Sequence, residues 1–137
     1  MSYNNLFAQT RLEKVYYLPN IDITPLVAAS TELVLFRTDA NKGYAIVNNI
    51  CIKIKSITLN NTAVPRFGIS GSRNAISQDL TINTATVNNT YTNIITYPHT
   101  LPASTNIVLS NNFIINRSEM VFDIFMRLTY FDFDSSV

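Results

Sequence analysis

Charge is scarce in this sequence. Asp, Glu, Lys and Arg make up 14% of 137 residues, against about a quarter in an ordinary globular domain. Net charge is +1, and the ten Lys and Arg are scattered. A nucleic-acid backbone is gripped by clustered cations that release counterions, so no direct nucleic-acid partner is expected. No apolar run approaches the length of a membrane-spanning helix, and no membrane partner is expected. The single cysteine, Cys51, cannot close an internal disulfide. In "NNICIKIKSI" it reads as a packed strand thiol. Tryptophan is missing and there are only three glycines.

The polar share falls instead to neutral side chains, with 17 Asn and 15 Thr. Such a surface suits a protein covered by other subunits, or one that works outside the cell. The stretch "MSYNNLFAQTRLEK" has no basic start leading into an apolar run, so it does not read as a signal peptide. Synthesis in a cytoplasm is the expectation.

Helix signals are almost absent, because Asn and Thr are poor helix formers and no long segment has 3.6-residue spacing. Period-two alternation recurs. Strands are expected at Thr31 to Thr38, along "YAIVNNICIKIKSITLN", in "RFGISG", at Gln78 to Asn83, in "YTNIITY", "TNIVLSN" and "NFIIN", and over the last segment. In the long strand Ile46, Ile50, Ile52 and Ile54 share one face, with Lys53 and Lys55 on the other. Ile57 and Leu59 change phase, which implies a bulge near Ser56. "PHTLPAS", with Pro98 and Pro102, reads as a loop.

Seven or eight strands without a helix imply one all-β domain: a single antiparallel β-sandwich, jelly-roll-like or Greek key. Residues 1-30 stand apart, with Pro19, Pro25 and weak alternation. They read as an extended N-terminal arm or a strand pair, leaving 31-137 as the sandwich. Leu6, Phe7, Tyr16, Tyr17 and Leu18 make that segment sticky in water.

No catalytic constellation emerges, and the protein is not expected to be an enzyme. His99 is the only histidine and a zinc site needs three or four ligands, so no metal or cofactor is expected. Asp123, Asp132 and Asp134 form the only acidic cluster; in "FDFD" Asp132 and Asp134 share a strand face and could hold a hard cation, while guarding an exposed strand end is the simpler reading. "GISGSRN" could form a backbone nest for an anion, with Arg73 as counter-charge, or be a plain strand-ending turn. The sequons at Asn60, Asn88 and Asn116 read as by-products of composition.

The last strand, "EMVFDIFMRLTYFDFDSSV", has two apolar rows. Met120, Phe122, Ile124, Met126, Leu128 and Tyr130 should face the core. Val121, Phe125, Phe131 and Phe133 occupy the second row, where full exposure invites aggregation. Covering three phenylalanines is worth about 1.5–3 kcal/mol each. A subunit packed against others is the expected solution, with Tyr16, Tyr17, Leu18, Phe125, Phe131 and Phe133 as interface candidates.

Two stretches carry a family resemblance. "ELVLFRTDANKGYAIVNNICIKIKSITLNN" resembles the strand–turn–strand of small β-sandwich virion structural proteins of tailed bacteriophages. "LPASTNIVLSNNFIINRSEMVFDIFMRLTYFDF" is similar to their ending. The resemblance implies a non-enzymatic capsid decoration (auxiliary) or head-fibre protein. It further implies a virion location, a homo-oligomer with a trimer favoured, and major capsid or other virion proteins as partners. The alternative is a carbohydrate-binding receptor or adhesin module, since aromatic planes stack on sugars; the lack of Trp weakens it.

Overall fold

The computed structural model describes residues 9–26, 31–41, 43–57, 64–82, 91–111 and 120–133, without the side chains of residues 9, 10, 57, 132 and 133. The expected strand at 112–116, the sequons, Leu6, Phe7, Leu59 and Asp134 lie outside them. Among the described residues there are eight strands: β1 Gln9–Asp22, β2 Leu33–Arg37, β3 Tyr44–Ile57, β4 Pro65–Ile69, β5 Tyr91–Ile94, β6 Thr100–Pro102, β7 Asn106–Asn111 and β8 Met120–Phe133. There is no helix among the described residues.

The strands form two antiparallel sheets. The larger has the order β1-β8-β3-β5, with β6 also paired to β3; the smaller has the order β2-β7-β4. The pairing is nested: first with last (β1·β8), second with seventh (β2·β7), third with sixth (β3·β6). That nesting is the connectivity of a jelly roll. The inner faces of both sheets meet in one core, where Ile50, Ile52, Phe122 and Ile124 pack with Phe67, Ile107 and Leu109.

The inner row of β8 is as its alternation implies. Met120, Phe122, Ile124, Met126, Leu128 and Tyr130 are all essentially inaccessible. In β3 the phase changes twice. Ile54 and Ser56 flank one register shift, at the bulge expected near Ser56. A second lies between Val47 and Asn49. It buries Ala45 and Val47 instead of Ile46, which is only partly covered.

Two expectations are corrected. No strand forms over 78–82; Leu80 and Ile82 turn into the core, while Gln78 donates its N–H to Ile95 (2.9 Å). Burial alone produced that alternation. Conversely, the supposed loop "PHTLPAS" contains β6, whose residues pair with Tyr44–Ile46. Pro102 is tolerated because a short edge strand can spare one N–H.

Of the segment expected as an arm or strand pair, Gln9–Asp22 is β1, hydrogen-bonded along β8 from Gln9↔Phe133 to Asp22↔Val121. The ladder is interrupted between Leu18 and Ile21, where Asn20 adopts φ 54°.

Candidate interaction surface

The outer face of the larger sheet is built by one parity of β8 and its neighbours. Register sets Tyr17 beside Phe125, Cys51 beside Phe125, and Lys53 beside both Asp123 and Tyr91. The result is an aromatic band. Tyr17 and Phe125 stack at 4.8 Å, and the Tyr91 ring lies 6.4 Å from Phe125. Lys53 Nζ sits 5.3 Å from the Tyr91 centroid. A second group lies further along, where Phe131 stacks on Tyr44 at 5.1 Å with the Arg11 guanidinium 5.5 Å from its ring. Val15, Tyr17 and Tyr91 are more than half exposed (67%, 54% and 61%). Such a band on a sheet's outer face makes it the candidate interaction surface.

The interface candidates divide by parity. Tyr17, Phe125 and Phe131 lie on this outer face. Tyr16 and Leu18 point the other way and pack against the core. Tyr16 stacks on Phe36 of the opposite sheet at 4.0 Å, and its hydroxyl is hydrogen-bonded to that of Tyr130. Burial and this bond hold the Tyr16 phenol above its ordinary range. Phe133 closes β8 opposite Gln9, but its side chain is outside the described ones. Tyr91 and Tyr44 complete the groups. Their place in the sequence gives alternation but not the register that brings them to Phe125 and Phe131.

The side chains of Asp132 and Asp134 lie outside the described ones. Asp123 is nearly inaccessible. Its carboxylate accepts the Asn20 N–H at 2.9 Å and lies 3.5 Å from the Tyr17 hydroxyl and 3.7 Å from Lys55 Nζ. It therefore secures the interruption in β1 and the Tyr17 ring above it. Among the described residues no three His, Cys, Asp or Glu side chains converge as metal ligands. His99 is exposed, and Cys51 is half-buried in the outer row.

The turn in "GISGSRN" does receive an anion, supplied by the chain itself. Glu32 accepts from Ser70 Oγ and from the Gly71 N–H, both at 3.1 Å, and faces Arg73 Nε at 3.3 Å. Gly71 supplies the positive φ of 82° that the turn requires.

The fold is a jelly-roll sandwich with this aromatic band on the outer face of its larger sheet. One solved structure similar to it is titled "Cyanophage Pam1 capsid asymmetric unit", with TM-score 0.58, 15% identity, and coverage of 89% of this chain and 86% of that one. A second is titled "Acidic stable capsid structure of Helicobacter pylori bacteriophage KHP30", with TM-score 0.52, 13% identity, and coverage of 90% and 92%. At these identities the likeness is one of fold. No family model matches the chain, and no curated protein matches it.

Proposed function

We propose that this chain is a non-enzymatic structural subunit of a bacteriophage virion, of the capsid decoration (auxiliary) or head-fibre type. The observation that carries the reading is the outer aromatic band of Tyr17, Phe125 and Tyr91 on a fold similar to chains from two phage capsids. A sandwich needs only its inner faces to fold. A second apolar face fits a subunit that is covered by major capsid or other virion proteins, or by its own copies in a closed oligomer such as a trimer.

The same rings bear on the carbohydrate-binding alternative. Sugar stacking needs free ring faces, and Tyr17 and Phe125 turn theirs towards each other. That arrangement favours protein packing. The test is to purify particles from cells producing the parent phage and identify their proteins by mass spectrometry. The chain should be present, and Phe125→Asp should remove it from particles while the free protein stays folded. Particles lacking the wild-type chain would refute the reading. A glycan array that captures the protein would favour the alternative.

A further inference from the structure

β1 is the edge of the larger sheet and pairs only with β8 among the described strands. An edge strand presents a row of unpaired N–H and C=O groups, and soluble proteins blunt such rows. The second half of β1 is blunted by Pro19, by the shift between Leu18 and Ile21 and by the positive φ of Asn20. The first half is not. Its one inward charge, Lys14, is engaged by Asp39 at 3.4 Å and lies 5.5 Å from the Tyr130 ring centroid. Leu12 belongs to the inner row yet is 39% exposed.

We propose that this half-edge takes β1 of a second copy of the chain, antiparallel, about a two-fold axis at Leu12. The charges select the register. In a continuous sheet, opposed residues must share a face, so only pairings of equal parity are possible. Centring on Leu12 sets Arg11 of each copy against Glu13 of the other, on the outer face, twice. Centring on Arg11, Glu13 or Lys14 instead sets each of those charges against itself, and directly opposed like charges are destabilising. The two-fold axis is perpendicular to the sheet, so both outer aromatic bands stay on one side and remain free for another partner. The contact is isologous, which closes at two copies and does not propagate into a fibre. The pairing goes beyond the virion reading and stands without it.

The test is a charge exchange read by light scattering coupled to size-exclusion, with circular dichroism confirming the fold of each variant. The wild-type mass should be an even multiple of the chain. Arg11→Glu and Glu13→Arg should each weaken the pairing by roughly tenfold or more and halve the mass at low micromolar concentration. The double variant R11E/E13R should restore it. A monomeric wild type, single exchanges that leave the mass unchanged, or a double exchange that stays dissociated would each overturn the proposal.

Discussion

Tyr17 of β1 and Phe125 of β8 stack with ring centroids 4.8 Å apart, on the sheet face turned away from the core. Phe122, three positions earlier in β8, is wholly buried on the other face. The two phenylalanines should therefore respond oppositely. Phe122→Ala should destabilise the free chain by about 3–5 kcal/mol through loss of burial and a residual cavity. Phe125→Ala should change it by under about 1 kcal/mol but impair incorporation into particles. Urea denaturation of both variants, with particle content by mass spectrometry, checks the split.

Thr38 joins the β2–β3 connection to the β6–β7 turn. Its buried hydroxyl donates to the Pro102 carbonyl at 2.8 Å and accepts the Thr105 N–H at 2.8 Å. Thr38→Val keeps the shape but strands the Thr105 N–H, while the Pro102 carbonyl still accepts from Thr105 Oγ1 at 2.9 Å, at a cost of about 1–3 kcal/mol. Thr38→Ser keeps the hydroxyl and should cost less. Denaturation midpoints of the pair give the order directly.

Gly68 lies under the turn that Glu32 holds. A Cβ there would collide with the backbone of Ser72 and Arg73. Gly68→Ala should displace that turn and destabilise the chain by about 1–3 kcal/mol. Glu32→Gln weakens the same turn without a collision. It should cost less, with hydrogen exchange at Gly71 accelerated in both.

Tyr16 gives a pH dependence. Its folded phenol is held above the unfolded value by burial first, and then by the Tyr130 hydroxyl. The unfolded chain therefore loses this proton first as pH rises, and stability falls above about pH 10. Below that pH both states are protonated and the contribution is fully present. Tyr16→Phe should flatten the decline in melting temperature between about pH 9 and 11. A decline as steep as wild type would contradict this assignment.

Alternation alone was enough for the elements that bury one face. The inner row of β8 and the bulge near Ser56 follow from side-chain parity, because a strand's two faces differ in solvent. Parity fails where something other than a ladder decides. Leu80 and Ile82 alternate with polar neighbours and pack on or in the core without forming a strand, and the Asn48 region changes phase with no composition signal. Pro102 hides β6 because proline argues against a strand until its edge position is known. The surface was half legible. Phe125 and Tyr17 could be suspected as unpaired apolar residues. Their meeting, the arrival of Tyr91 and the burial of Asp123 all depend on register between segments distant in sequence, which a single strand does not encode. Tyr16 and Leu18, neighbours of Tyr17 in the chain, point into the core because successive side chains of a strand alternate between its faces.

Cys51 lies directly opposite Phe125 in the outer row, half-buried and free, and so reports on whether this face is covered. The decisive measurement compares its alkylation rate in purified particles with that in the same protein after dissociation, read by mass spectrometry. The account predicts that the chain is found in the particles and that Cys51 is alkylated much more slowly there. Equal rates in both states would contradict burial of the aromatic face on assembly.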